Sequence, residues 1–212
     1  MKKTPHIPVT SWALLFCALA LSACLTGPRP VTLYTLQPLQ PNQQQEMPDL
    51  FADMIMVMPV RLAPQLRERG LLIQHSPLTS VALSSHLWAG PLDQQITSTI
   101  TANLKKLMAT DHVVAYPGPR FYAPRYQVEV ELNEFSGDDY LFTIRAVATI
   151  SDVDMKTIVS RKTFRQTQTI NKPDYAGHVD AASRAIADLS REIAVALWGG
   201  HQPGLIDDAP EK

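Results

Sequence analysis

The chain has 212 residues, 45% of them hydrophobic and 18% charged, with 19 Lys and Arg against 20 Asp and Glu. A balance this close to neutral excludes a dedicated nucleic-acid binder, which needs a clustered basic surface. Two cysteines exclude a disulfide scaffold and a multi-thiolate zinc module, and a mean hydropathy of −0.06 excludes a multispanning membrane protein.

Residues 1–23 read as a secretory leader. Lys2 and Lys3 form its positive start, residues 11–23 (SWALLFCALALSA) its apolar core, and the segment carries no Asp or Glu. Such a run is short for a hydrocarbon core of roughly 30 Å, which takes about 20 residues. Leu21-Ser22-Ala23-Cys24 then has the form of a bacterial lipobox. Small residues admit the peptide to a signal peptidase, and the Cys24 thiol supplies the sulfur for a diacylglyceryl group. The competing reading is a signal-anchor helix in which Cys24 is an ordinary residue. On the lipobox reading, Cys24 carries S-diacylglyceryl and N-acyl lipid, and no other cofactor or metal is expected. Cys17 leaves with the leader, so the mature chain has no free thiol. The mature chain then has 189 residues, and losing Lys2 and Lys3 leaves 17 basic against 20 acidic side chains. Several acyl chains together hold a protein on a membrane where one does so only marginally. Leu25 stands where Asp would favour retention at the inner membrane, which points to the inner leaflet of an outer membrane with the domain in the periplasm.

Residues 24–30 form a short tether with Gly27, Pro28 and Pro30, and a single domain is expected over residues 31–198. Val31 to Leu36 is extended, and its strand pairs with the main sheet. The Gln- and Pro-rich segment 37–49 reads as a flexible loop. Met54 to Val60 is a continuous apolar run suited to a strand buried on both faces. Residues 61–70 read as a turn or one helical turn closed by Gly70. Leu71 to His75 is a strand and Ser80 to Ser84 a weaker one. Pro91 begins a helix whose Leu92, Ile96, Ile100, Leu104 and Leu107 share one face, with Lys105 and Lys106 on the solvated side. His112 to Tyr116 is a strand stopped by Pro117-Gly118-Pro119.

A three-strand meander follows. Tyr126, Val128, Val130 and Leu132 alternate with polar residues, Gly137-Asp138-Asp139 turns the chain, and Phe142 to Ile150 alternates again. Ser151 to Lys156 is a second turn, and Thr157 to Thr169 runs back. A closing helix spans Tyr175 to about Trp198, with Val179, Ala182, Ile186, Leu189, Ile193 and Leu197 inward. Residues 199–212 read as a disordered tail. The whole is an α+β domain: a mixed, mainly antiparallel sheet packed by two long amphipathic helices.

Catalytic patterns are missing. No two of the six histidines form a His-Glu-x-x-His motif, and no Gly-x-Ser-x-Gly or phosphate-binding Gly pattern occurs. Asp138, Asp139, Asp152 and Asp154 fall in turns, where a carboxylate caps the backbone more often than it does acid–base work. The domain therefore reads as no enzyme. Leu87 and Trp88, just before the first helix, are candidate partner contacts because Trp is enriched at interface anchors. The other reading closes Trp88 over the core. Tyr116, Phe121, Tyr122 and Tyr126 read as core closure around a proline-rich loop.

The order of these segments resembles the ABC-type transport auxiliary lipoprotein family. The resemblance runs from the lipobox and Val31-Thr32-Leu33-Tyr34-Thr35-Leu36, through residues 55–64 (IMVMPVRLAP), to Trp88-Ala89-Gly90-Pro91-Leu92-Asp93 leading into the helix with Ile96 and Leu104. It continues through Asp111 to Pro117, Tyr126-Gln127-Val128-Glu129-Val130, and the final helix from Ser183 to Ile193. It implies an auxiliary part in moving lipids or other apolar molecules between two membranes. The implied partners are a periplasm-spanning MCE-domain protein and inner-membrane transport components. The role is docking, with a homo-oligomeric ring as one form it could take, and no catalytic residues come with it. Two other classes stay open: a lipid-binding carrier with a cavity between helices and sheet, and a regulatory lipoprotein acting on a cell-wall enzyme.

Overall fold

The computed structural model describes residues 30–40, 53–76, 78–119 and 123–201. The leader, Cys24, most of the tether, residues 41–49 of the Gln-rich loop, Phe121, Tyr122 and the tail from Gln202 lie outside them. Contacts divide the chain at Val31, and the fold below belongs to the unit from Thr32 onward. Among the described residues no helix is long and apolar enough to cross a membrane.

The elements in chain order are β1 (Thr32–Tyr34), β2 (Ile55–Val57), β3 (Arg61–Leu62), a 3-10 turn (Pro64–Arg67), β4 (Gly70–Ser76) and β5 (Thr79–Trp88). Then come α1 (Leu92–Leu107), β6 (Val113–Ala115), β7 (Tyr126–Gly137), β8 (Leu141–Asp152), β9 (Thr157–Thr169) and α2 (Tyr175–His201). They make one mixed sheet and two helices, the α+β class that the periodicities predict.

β7 organises the sheet. Along one side it pairs antiparallel with β8 from Tyr126↔Asp152 to Gly137↔Phe142, and β8 pairs antiparallel with β9. Along its other side it takes three short parallel partners in succession: Ile55–Val57 of β2 at Tyr126–Val128, β3 at Glu131–Leu132, and Ile73 of β4 at Gly137. β6 adds to β2, and β4 pairs with β5, which pairs with β1. β2 is a continuous apolar run because it lies inside the sheet between β6 and β7, and all three of its residues are buried.

The helices pack on each other and on one face of the sheet. Ile96, Ile100 and Leu104 of α1 and Ile186 and Leu189 of α2 are fully buried, as are Val128, Leu132, Ile144 and Ala146 beneath them. The opposite face of β7 carries charge: Arg61 spans Glu129 and Glu131 at 3.0 and 2.6 Å.

One irregularity redirects the core. The β7–β8 register shifts between Leu132 and Glu134, so Asn133 is an extra residue. Strict alternation would turn Glu134 inward. The bulge instead sends Glu134 outward to Arg145, at 2.5 Å, and brings Phe135 into the interior. There Phe135 meets Phe142 edge-on at 4.9 Å.

Several local expectations are corrected. The single helical turn expected within residues 61–70 is the 3-10 turn Pro64–Arg67, but Gly70 does not close it. Gly70 begins β4, where an added Cβ would lie 2.3 Å from the carbonyl oxygen of Leu83 on β5. The weak strand expected at Ser80–Ser84 is ten residues long and runs to Trp88. Pro91 sits at the N-cap of α1, one residue before its first helical position. The last helix continues past Trp198 through Gly199 and Gly200 to His201. Gly200 fits there because a Cβ would lie 2.3 Å from Cγ1 of Val159.

Candidate functional site

Trp88 is 5% exposed. As the last residue of β5 its side chain points into the sheet–helix interior, 6.2 Å between ring centroids from Phe135. The bulge at Asn133 makes that contact possible. Trp88 is thus a core side chain, and the reading of it as a partner anchor is corrected: a buried indole offers no surface. Leu87 is half-buried and pairs with Leu33 across β1. Of the aromatic cluster, Tyr126 is buried as expected, whereas Tyr116 is 52% exposed and closes nothing.

The segment after β1 is also unlike the expected loop at its start. Leu36 and Leu39 are buried, and their amides donate to side chains of the helices. Leu36 N–H reaches Gln95 Oε1 at 3.1 Å, Gln37 N–H reaches Ser183 Oγ at 3.1 Å, and Leu39 N–H reaches Asn103 Oδ1 at 2.8 Å. Asn103, fully buried, donates its Nδ2 to Ser190 Oγ at 3.1 Å, tying α1 to α2. Lys106 Nζ donates to the Leu39 carbonyl, so it is a clip and not a purely solvated charge. Thr97 holds the chain after β2 in the same way, accepting from Val60 N–H at 3.1 Å. Buried backbone amides must find acceptors, and here the polar residues inside otherwise apolar helix faces supply them.

At the start of α2, Tyr34 Oη and His86 Nδ1 are 3.0 Å apart, and His86 stacks at 4.0 Å on Tyr175. Burial, with the nearby Asp174 carboxylate second, raises the Tyr34 phenol above its ordinary pKa. His178 contacts the Asp174 carbonyl through Nδ1 at 3.0 Å. Among the described residues its Nε2 has no hydrogen-bond partner, and it lines a cavity of about 20 Å³ with Trp88, Phe135 and Phe142. That is room for one water molecule. A second small space, of about 60 Å³, lies between α2 and β8–β9 beside Ile150, Phe164 and Ile193.

The turn carboxylates cap backbone. Asp138 Oδ1 accepts from Tyr140 and Leu141 N–H, each at 2.8 Å, and Asp152 Oδ1 accepts from Met155 N–H at 2.9 Å. The Met155 amide, and after it Arg125, lowers the Asp152 pKa below the usual carboxylate value. Arg125 bridges Asp152 at 3.4 Å and Asp53 at 2.8 Å. Among the described residues no three His, Cys, Asp or Glu side chains gather as a metal site.

An α+β domain of this topology, with clipped N-terminal strands and no gathered catalytic set among the described residues, belongs to a known family. Residues 34–194 match the model for the ABC-type transport auxiliary lipoprotein component, and the chain is a member of that family. Among curated proteins it is similar to the intermembrane transport lipoprotein PqiC of Escherichia coli K12, 28% identical over 126 residues. The PqiC of Shigella flexneri matches equally. The alignment covers 59% of this chain and 65% of the relative, so just under two thirds of the relative's length is matched. Two solved structures share the fold. One, of an uncharacterized protein, has a TM-score of 0.66 at 22% identity, covering 80% of this chain and 99% of its own. The other, from Xanthomonas campestris, has a TM-score of 0.65 at 15% identity, covering 81% and 99%.

Proposed function

We propose that this transport auxiliary lipoprotein works from the inner leaflet of an outer membrane, held there by lipid on Cys24. It docks the outer end of an intermembrane transport system whose other parts are an MCE-domain protein spanning the periplasm and inner-membrane components. The cargo is a lipid or another apolar molecule, and the work is positioning, carried out by a single copy or a ring. The observation that carries this reading is continuity: the family match begins at Tyr34, ten residues after a lipobox cysteine. Spaces of only about 20 and 60 Å³ between helices and sheet also favour a docking domain over a carrier that encloses an acyl chain.

Affinity capture of the full chain from envelope membranes tests it. The expected result is co-purification of an MCE protein with the wild-type chain in the outer-membrane fraction. Cys24→Ser should move the chain out of that fraction. A wild-type chain that stays in the inner-membrane fraction, or repeated capture without any MCE protein, refutes the proposal.

A further inference from the structure

From Gly70 to Leu92 the chain has no Asp, Glu, Lys or Arg, although 18% of the whole sequence is charged and a stretch this long carries about four on average. Its two ends are interior, with Leu71, Ile73, Trp88 and Leu92 buried, but its middle is not. β4 leaves the sheet after Ile73, its only pairing with β7, and β5 meets β1 only from His86 onward. Between these points the two strands pair with each other alone, as a ribbon projecting from the domain. Leu78 at its tip is 95% exposed and Val81 44% exposed. Exposed ribbons are ordinarily blunted by charged side chains, and this one is not.

The topology sets other features at the same end. Because β4 runs parallel to β7 with Ile73 opposite Gly137, the β7–β8 turn lies at the end where the hairpin tip projects. Tyr140 in that turn is 74% exposed. β1 is parallel to β5 with Thr32 opposite His86, so the first residue of β1 faces the hairpin end too. Cys24 precedes Thr32 by eight residues, a reach of at most about 29 Å. The seven steps from Ser85 back to Leu78 span at most about 23 Å, shortened by the register shift opposite Gly70–Leu72. A lipid on Cys24 can therefore sit level with Leu78. Exposed Asp138, Asp139 and Asp174 outnumber Lys172 at this end, which opposes an anionic surface.

We propose that the β4–β5 hairpin is a second membrane contact. Leu78 and Val81 enter the interface of a zwitterionic bilayer beside the anchored lipid, with Tyr140 at headgroup level. An uncharged polar ribbon enters that interface without desolvating an ion, and Tyr suits its wet boundary. The domain is thereby oriented with its β8–β9 turn, where Met155 is 72% exposed, away from the membrane. The contact rests on the lipid-anchor reading of Cys24.

The test uses the lipidated mature chain in phosphatidylcholine vesicles. With Cys24 acylated, Ser80→Cys introduces the sole free thiol, which takes an environment-sensitive fluorophore. Expected is severalfold stronger quenching by shallow spin-labelled lipid than for a label at Met155→Cys. Leu78→Ser in the Ser80→Cys chain should remove most of that difference, and phosphatidylglycerol in the vesicles should weaken it. Equal quenching at both positions, or none at position 80, overturns the hairpin contact. So does shielding of position 80 that depends on protein concentration and not on lipid, which marks a second copy as the occupant. Intact mass separates the two readings: lipid on Cys24 with position 80 unquenched overturns the hairpin alone, and a mass without lipid overturns both.

Discussion

Asn103→Ala tests the idea that polar side chains within the helix faces hold the N-terminal segment. Asn103 makes two buried hydrogen bonds, accepting from Leu39 N–H at 2.8 Å and donating to Ser190 Oγ at 3.1 Å. Truncation leaves the Leu39 amide without an acceptor at a residue 2% exposed, which costs about 1–3 kcal/mol. Loss of the Ser190 bond adds about 0.5–1.5 kcal/mol, for a total of about 2–4 kcal/mol. Ser190 itself still donates to the Ile186 carbonyl at 2.7 Å, so its hydroxyl is not stranded. With a urea m-value of about 2 kcal/mol/M, the unfolding midpoint should fall by about 1–2 M with m unchanged. Hydrogen exchange should show the Leu39 amide slow in the wild type and fast in the variant. Ser190→Ala strands the buried Asn103 Nδ2 at a cost of about 1–3 kcal/mol, but the Leu39 amide should stay slow because it keeps its acceptor. A midpoint that moves less than about 0.3 M, with Leu39 still protected, would refute the clip.

Gly70→Ala should destabilise by about 1–3 kcal/mol, because its Cβ meets backbone on β5 that cannot give way; an unchanged urea midpoint would contradict the close approach. Trp88→Ala should cost about 3–5 kcal/mol as a large-to-small core change, seen in thermal unfolding. A loss of partner capture at full stability would instead restore Trp88 as a surface anchor. Asp152 has a folded pKa below its unfolded value of about 3.9, so its stabilisation is present above that value and drains as pH falls through the folded pKa. Asp152→Asn should accordingly flatten the loss of stability between pH 5 and pH 3, measured by urea midpoints, and identical slopes in the two proteins would count against the assignment.

The long periodic elements were legible because each has one buried face. The apolar positions of α1 and α2, the alternation from Tyr126 to Leu132 and the buried run at β2 all lie where their spacing puts them. What stayed hidden depended on partners distant in sequence. The bulge at Asn133 leaves no local mark beyond an interrupted alternation, yet it decides that Phe135 packs against Trp88. Gly70 reads as a turn residue until Leu83 is known to lie against it. The clip residues Asn103, Ser183 and Thr97 look like ordinary helix polarity, and only the buried amides across from them give them a task. For the proposed function, the lipobox at Cys24 and its spacing to the family match are features of the sequence alone. The charge gap from Gly70 to Leu92 was visible too, but it acquires meaning only when the ribbon proves to be exposed.

The single long strand β7 is the template on which β2, β3 and β4 each find a backbone partner, in every case more than sixty residues further along the chain. A chain threaded N-terminus first thus delivers β2 and β3 long before β7 exists, whereas β4 meets β5 at once. The β7–β8–β9 meander closes through short turns and forms early, since local contacts have little loop entropy to overcome. β2 and β3 can add to β7 only once it exists. Until residues 126–137 emerge, the apolar run at β2 is exposed to whatever surrounds the nascent chain. If the chain is exported as proposed above, a holding chaperone at the exit of the translocation channel would meet this segment before β7 arrives.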